Sequence, residues 1–205
     1  MATLTIDPIH ATFIHSPKTG GNSVTTWLLE HFDFCRVSKR KQHATVIQAR
    51  NRLGPLGWTY GIVRNPWALS YSWYTFKIKL ANLYIENCRA EPERINPGSY
   101  RWDLKANLER KKFLDQGFIP WFHQAHISRQ EKWLTGVHYV MKLENLVSEF
   151  EVVQNKLNCY EPLQHLNKST NNKQAYIDHY DSETKDLVYR RHAETIKKYN
   201  YEFET

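Results

Sequence analysis

The sequence predicts an α/β domain with a central, mostly parallel sheet flanked by helices. Three short runs rich in β-forming residues, at 11–16, 58–64 and 137–142, are each followed by a helical pattern of apolar residues. Strands that alternate with helices are joined by crossovers, which makes the strands parallel. The length of 205 residues suits one domain over 1–205 with a core of its own.

The sequence of the first half of the chain indicates where its strands and helices begin and end. Apolar residues recur at helical spacing after the first glycine pair, and Gly54-Pro55 ends a second helical pattern. The predicted elements are a strand over 11–16, a loop over 17–21, a helix over 22–32, a helix over 43–54 and a strand over 58–64.

The second half begins with a helix, because Asn65 is a good N-cap and Pro66 suits the first helical position. The stretch 86–126 has the weakest pattern. The predicted elements are a loop over 87–100, a helix over 103–114, a strand over 137–142, a helix over 144–157, a loop over 158–181 and a final helix over 182–199 with Ser182 as its N-cap.

Composition limits the classes of function. No apolar run is long enough to cross a bilayer and no signal peptide precedes the first strand, which predicts a cytoplasmic protein without a membrane segment. Cys35, Cys88 and Cys159 are widely spaced and form no CxxC pair, so we expect reduced cysteines and no zinc site. The net charge of +7 indicates an anionic ligand, while no zinc-finger spacing or RNA-recognition signature points to nucleic acid.

The loop Pro17-Lys18-Thr19-Gly20-Gly21-Asn22-Ser23 lies between a predicted strand and a predicted helix. Free N–H groups and the positive end of the helix dipole favour an anion there. The two glycines allow close approach of the backbone to phosphate oxygens, and the lysine adds a mobile charge. We therefore expect a phosphate-binding loop, against the simpler alternative of an ordinary strand-to-helix turn.

This loop lacks the Gly-Lys-Ser/Thr ending of a nucleoside triphosphatase, because its lysine precedes the glycines. In such enzymes the hydroxyl after the lysine and an acid at a later strand end hold magnesium. Here the next predicted strand ends at Arg64. The pattern therefore argues against a magnesium-dependent kinase and favours a phosphorylated ligand bound by positive charge without a metal.

A second anion site is expected at the next strand-to-helix junction. Arg64 ends the strand, and Ser72 lies seven residues after Asn65, about two helical turns along the same face. Ligands of a parallel sheet collect at the carboxyl ends of its strands, so the two sites are expected side by side. Together they suit a nucleotide with phosphates at both its 5′ and 3′ ends.

These motifs carry a resemblance to a known family. "FIHSPKTGGNS" and "VRNPWALSYSWY" resemble the 5′-phosphosulfate and 3′-phosphate motifs of sulfotransferases that use 3′-phosphoadenosine 5′-phosphosulfate (PAPS). "VHYVMKLENLVSEFEVV", "EPLQHLNKST" and "YRRHAETIKKYNYEF" resemble later segments of the carbohydrate-type branch, which includes heparan sulfate O-sulfotransferases and bacterial members. The resemblance covers most of the chain and fades between about 85 and 125.

The resemblance implies a P-loop-like three-layer domain and a role for each matching residue. Lys18 is implied to act on the bridging oxygen of the donor, and Arg64 and Ser72 to hold its 3′ phosphate. Lys168 and Ser169 match a late loop that closes over the nucleotide. PAPS would be the co-substrate and 3′-phosphoadenosine 5′-phosphate (PAP) the product, without a metal. The 5′ phosphate is implied to be held by Lys18, Thr19, Gly20, Gly21, Asn22 and Ser23.

A hydroxyl acceptor needs a general base, for which histidine suits neutral pH. Relatives carry a catalytic histidine between the two motifs, where this chain has His43, and His15 before the loop is the rival. Glu144 is expected to bond backbone near the site. The acceptor is expected to be a carbohydrate or another small molecule, bound by an insertion over 85–126. A non-catalytic basic module for nucleotides or sulfated glycans is the alternative.

Overall fold

The computed structural model describes residues 3–6, 10–33, 35–37, 43–164 and 174–203, with the backbone alone for 35–37, 174 and 175. Its sheet has five strands in the order β3-β1-β2-β4-β5. The strands β2, β4 and β5 are parallel, and β1 pairs antiparallel with β2 and with β3. The strands are β1 (Leu4–Ile6), β2 (Ala11–Ile14), β3 (Cys35–Val37), β4 (Trp58–Val63) and β5 (Tyr139–Lys142).

Helices follow the parallel strands, as predicted for an α/β fold. Among the described residues they are α1 (Gly21–His31), α2 (Val46–Leu53), α3 (Pro66–Ala90), α4 (Leu104–Leu114), α5 (Phe118–Gln124), α6 (Glu131–Leu134), α7 (Leu146–Leu157), α8 (Gln174–Ile177), α9 (Ser182–Arg191) and α10 (Ala193–Tyr199). None of the helices in this part of the chain combines the length and the hydrophobicity of a membrane-spanning segment.

The chain divides into two compact units, each with its own packed interior. The first unit comprises Met1–Pro66, Ser128–Asn172 and His192–Glu202, and the second comprises Trp67–Ile127, Lys173–Arg191 and Phe203–Thr205. The first unit holds the sheet, and the second holds α3 from Trp67 onward with α4, α5, α8 and α9. The single domain predicted over 1–205 stays a prediction.

Both faces of the sheet are covered in the first unit. Successive strand residues point to opposite faces, and Phe13 packs in one hydrophobic cluster while Ile14 packs in another. The larger cluster includes Trp27 of α1 and Phe150 of α7, and the smaller one includes Ala49 of α2. The sheet therefore lies between two layers of helices.

The second unit is built on aromatic packing. Phe118 stacks on Phe122 and contacts Tyr180 at a centroid distance of 4.7 Å. The Tyr180 hydroxyl donates to the Trp67 carbonyl at 2.8 Å, which connects the segment just before α9 to the start of α3. Burial and the neighbouring Tyr176 raise the pKa of Tyr180, so its hydroxyl stays a donor.

Three predictions about element limits in this part of the chain are wrong. The predicted loop over 87–100 begins too early, because α3 continues to Ala90 and buries Cys88 completely. The final helix over 182–199 is two helices, interrupted at His192, where φ is −120°. Its N-cap is not Ser182, which is already helical, because Asp181 Oδ1 accepts from the Thr184 N–H at 2.7 Å.

Candidate functional site

The loop between β2 and α1 is closed by buried hydroxyl groups. Thr19 Oγ1 donates to the Ser16 carbonyl at 3.0 Å and lies 3.0 Å from Ser16 Oγ. Ser16 Oγ donates to the Ile62 carbonyl of β4 at 2.7 Å, so the loop is anchored to the neighbouring strand. Both hydroxyls are buried, which makes these hydrogen bonds costly to lose.

The loop backbone alternates in handedness. Lys18 and Gly20 have positive φ angles of 64° and 73°, whereas Thr19 between them and Gly21 after them do not. Alternating handedness of this kind is the backbone pattern of concave anion-binding nests. The first turn of α1, which begins at Gly21, carries no acidic residue, and its Ser23 N–H donates to the Gly20 carbonyl at 3.1 Å.

Both glycines are enclosed on one side by side chains. A Cβ atom at Gly20 would lie 2.6 Å from Leu143 Cδ1, just after β5, and φ is positive there as well. A Cβ atom at Gly21 would lie 2.3 Å from Cδ2 and 2.5 Å from Nε2 of His15. The second glycine is therefore required by the His15 ring, which packs directly on the start of α1.

Arg64 reaches this loop from the end of β4. Its Nη1 donates to the Lys18 carbonyl at 3.1 Å, which joins the two motifs that the sequence predicts to lie side by side. Gln130, which is 2% exposed, clamps the backbone of Arg64: its Oε1 accepts from the Arg64 N–H and its Nε2 donates to the Arg64 carbonyl, both at 2.8 Å. The arginine is thus held half-buried beside the loop.

Glu144 holds the next residue in place, as expected for a carboxylate that bonds backbone near the site. Its Oε1 accepts from the Asn65 N–H at 2.8 Å, and its Oε2 accepts from the Tyr201 hydroxyl at 2.9 Å. Asn65 is buried, and its Nδ2 donates to the Glu202 carbonyl at 2.9 Å. The C-terminal segment therefore fixes the turn that follows Arg64.

His43 lies against His15 just before α2. Its Nδ1 is 3.0 Å from the His15 carbonyl, and the two rings meet edge-on at a centroid distance of 4.6 Å. Since a carbonyl can only accept, Nδ1 of His43 carries the proton and Nε2 is left as the basic nitrogen. Burial lowers the pKa of His43 below 6.5, against an opposing effect of the bond to His15, so the neutral ring is favoured.

His15 has a different environment from His43. Its ring is 4% exposed, stacks on Phe13 at a centroid distance of 5.6 Å and fills the space beside Gly21. His43 is more accessible than His15 and keeps one ring nitrogen for a reacting group. Of the two histidines that the sequence left as rivals, the geometry suits His43 better as a base.

Most of the predicted site residues are adjacent in the first unit. Thr19 and Ser23 are buried in the loop and in the first turn of α1, Asn22 is exposed beside them, and Lys18 is half-buried. Asn22 and Ser23 lie inside the helix rather than at its cap, which is Gly20.

The structure does not show three other predicted site residues among the adjacent residues of the first unit. Ser72 is buried in α3 and belongs to the second unit, so its predicted pairing with Arg64 stays a prediction. Lys168 and Ser169 lie outside the described residues. Within the described chain, no group of three or more His, Cys, Asp and Glu side chains could hold a metal ion.

Sequence reasoning missed Gln130 and Tyr201, which orient Arg64 and Glu144. Gln130 comes from a stretch that contributes no motif, and Tyr201 lies in the C-terminal segment that resembles the family without a role assigned to it, so only the tertiary fold identifies what these residues orient. Comparison of the chain with known protein families gives no match, and comparison with curated proteins gives none either.

Proposed function

We propose that this protein transfers a sulfuryl group from PAPS to a hydroxyl or amine of an acceptor, with a carbohydrate as the expected acceptor class. The observation that carries the proposal is the bond from Arg64 Nη1 to the Lys18 carbonyl at 3.1 Å. This hydrogen bond joins two cationic residues, each of which follows a parallel strand, at the loop between β2 and α1. A nucleotide with two separate phosphate groups matches that distribution of charge.

The residues fit the 5′ end of such a nucleotide. The nest at Lys18–Gly20 and the first turn of α1 supply N–H groups, and residues 15–23 include no carboxylate. The Lys18 ammonium would neutralise negative charge on the phosphate oxygen that leaves sulfur. Arg64 would hold a second phosphate beside it, while Gln130 keeps the arginine backbone in position.

His43 is the proposed general base. Its Nδ1–H is held by the His15 carbonyl, so Nε2 takes the proton of an acceptor hydroxyl as that oxygen bonds to sulfur. The donor supplies the sulfuryl group, whose bond to the phosphate oxygen breaks in the same displacement. The lowered pKa of His43 keeps the ring neutral, and thus able to accept a proton, at neutral pH.

Calorimetric titration with PAP in the presence of EDTA tests the nucleotide site. We expect saturable binding, weaker binding of 5′-AMP because it lacks the 3′ phosphate, and an at least tenfold loss of PAP affinity in Lys18→Ala, about 1.4 kcal/mol. Lys197→Ala is the matched control, since it removes an exposed lysine of α10 from the same unit. Equal affinities for PAP and 5′-AMP would exclude a 3′-phosphate site.

Transfer itself is tested by incubating the protein with ³⁵S-labelled PAPS and a panel of glycans and small hydroxyl compounds. Labelled product that depends on Lys18 and His43 would support the enzyme. PAP binding without transfer to any acceptor would favour the non-catalytic nucleotide module instead. Ligand binding that Lys18→Ala leaves unchanged would contradict the site as assigned.

A further inference from the structure

The second unit contains a cavity of about 260 Å³ that none of the predicted nucleotide-site residues lines. Its walls come from α3, α4 and α5 and from the segment before α4. On α3 the lining residues Lys77, Leu80, Ala81 and Tyr84 follow helical spacing and form one face. Asn107, Arg110 and Leu114 form the facing side of α4.

Aromatic rings make up much of the cavity wall. Tyr84 and Tyr100 meet edge-on at a centroid distance of 5.6 Å, and Trp121 of α5, which is 8% exposed, closes another side. Such walls offer ring faces and edges against which a planar apolar group can stack. The cavity is therefore suited to an aromatic ligand rather than to a flexible polar one.

The volume limits the ligand to a single ring. A dry cavity of about 150 Å³ accommodates benzene, and the pockets that hold drug-sized ligands begin at about 300 Å³. At about 260 Å³ this cavity lies between those limits. A six-membered ring with one or two small substituents matches this volume, and a larger ligand would extend out of the partly open cavity.

The charge of the lining is positive. Lys77 and Arg110 line the cavity, no carboxylate does, and within the described residues neither cation forms a salt bridge. Two hydrogen bonds from one nitrogen atom orient the Arg110 side chain. Its Nη1 donates to Asn107 Oδ1 at 2.8 Å and to the Tyr100 carbonyl at 3.2 Å. Its guanidinium also stacks on the Tyr100 ring at 4.6 Å.

Asn107 fixes the orientation of the Arg110 side chain. It is fully buried, and its Nδ2 donates to the Arg101 carbonyl at 3.2 Å, which fixes Oδ1 toward Arg110. Both protons of Nη1 are used in these bonds, and no other hydrogen bond from the Arg110 guanidinium is found among the described residues. Nε and Nη2 of the oriented guanidinium thus remain as the pair of donors from which a carboxylate could accept two bonds.

We propose that this cavity binds a small aromatic carboxylate, with the ring among Tyr84, Tyr100 and Trp121 and the carboxylate on Arg110 and Lys77. The ring supplies apolar contact, and the anion complements two cations, of which Arg110 also interacts with Asp103, a carboxylate outside the cavity lining. The proposal does not rest on the proposed function, because none of the residues that line the cavity is a predicted nucleotide-site or catalytic residue, although Tyr100 to Trp121 fall in the stretch 85–126 that is predicted to bind the acceptor.

Titration of the full chain with 4-hydroxybenzoate, followed by NMR, tests the proposal. We expect saturable binding with a Kd of about 1 mM or tighter and a shift of the Trp121 indole N–H signal. The neutral isostere 4-hydroxybenzamide has the same shape, and we expect it to bind about tenfold more weakly because it loses the charge-assisted bonds.

Two variants and a control locate the site. Arg110→Gln should weaken 4-hydroxybenzoate binding about tenfold and equalise the two ligands, and Ala81→Leu should abolish binding by filling the cavity. Arg89→Gln removes an exposed arginine of α3 that does not line the cavity and should leave affinity unchanged. Absence of saturable binding, equal affinity for acid and amide in the unchanged protein, or unchanged affinity in Arg110→Gln would overturn the proposal.

Discussion

Replacement of Gly21 by alanine tests the packing at the start of the candidate site. Alanine at a helical position normally stabilises a protein relative to glycine, by up to about 1 kcal/mol. Gly21 is the first residue of α1 and has no positive φ, so the backbone itself accepts alanine. The nearest atoms that a Cβ at Gly21 would meet belong to the His15 ring, and the structure therefore predicts a change of the opposite sign.

The magnitude follows from the geometry. The new Cβ atom would lie 2.3 Å from His15 Cδ2, whereas ordinary contact begins at 3.4 Å, so the ring must move by about 1.1 Å. Phe13 and His43 pack against that ring at 5.6 and 4.6 Å between centroids, which limits the movement. Overpacking costs about 1–3 kcal/mol, and because the ring is confined we expect the upper part of that range, about 2–3 kcal/mol. Subtraction of a helix gain of about 1 kcal/mol leaves a net loss of about 1–2 kcal/mol.

Urea unfolding measured by tryptophan fluorescence and by circular dichroism gives the free energy of unfolding. Asn22→Ala is the matched control, because it places alanine at the next, exposed position of the same helix and should change stability by less than about 0.5 kcal/mol. For a chain of this length the expected loss corresponds to a Tm lower by about 2–8 °C.

A double-mutant cycle with His15→Ala identifies the cause. Once the ring is removed, Gly21→Ala should be neutral or stabilising, with a coupling free energy of about 1–3 kcal/mol between the two positions. If Gly21→Ala stabilises the unchanged protein, or destabilises it equally with and without His15, the argument from ring contact is wrong.

Three further predictions concern the rest of the site. Arg64→Lys keeps the charge but loses the planar fork, so PAP affinity should fall about tenfold in calorimetry while stability stays within about 0.5 kcal/mol. Burial lowers the pKa of His43, so near this pKa the folded state binds fewer protons than the unfolded state. The free energy of unfolding should therefore decrease as the pH falls below 6.5 through the lowered pKa of the folded state. His43→Asn should reduce this dependence of the free energy of unfolding on pH in urea titrations. Tyr201→Phe removes the hydroxyl that donates to Glu144 and should cost about 1–2 kcal/mol in urea unfolding, whereas Tyr189→Phe, at a site 46% exposed, should cost less than about 0.5 kcal/mol.

The parallel strands and most helices were predictable because their periodicity is local. Each parallel strand is an apolar run that precedes a helical pattern, and the structure confirms all three strands with ends within two residues. The strand β1 was missed because it has only three residues, Leu4–Ile6, and pairs with β2 through tertiary contacts. The long α3 was underestimated because burial of Cys88 outweighs the loop-forming composition that follows.

Residues of the candidate site could be predicted where they belong to a local sequence motif, and could not be predicted where they come from distant parts of the chain. The loop over 17–21 and Arg64 are visible because each follows a strand, and parallel pairing of β2 with β4 brings them together. The positions of Gln130 and Tyr201 carry no such signal, since amide and hydroxyl groups occur throughout the chain. Only the fold shows that these two groups orient residues of the site.

The structure explains the two glycines of the loop differently from the sequence. A phosphate loop requires glycine where the backbone must approach its ligand, yet Gly20 faces Leu143 and Gly21 faces His15 on the protein side. These contacts restrict the loop on the protein side, and the proposed anion would lie on the other side of its backbone. The carbonyl of the same His15 accepts from His43 Nδ1, so one buried histidine sets both the shape of the loop and the direction of the proposed base. His15 is therefore better understood as a positioning residue, and His43 stays the proposed base.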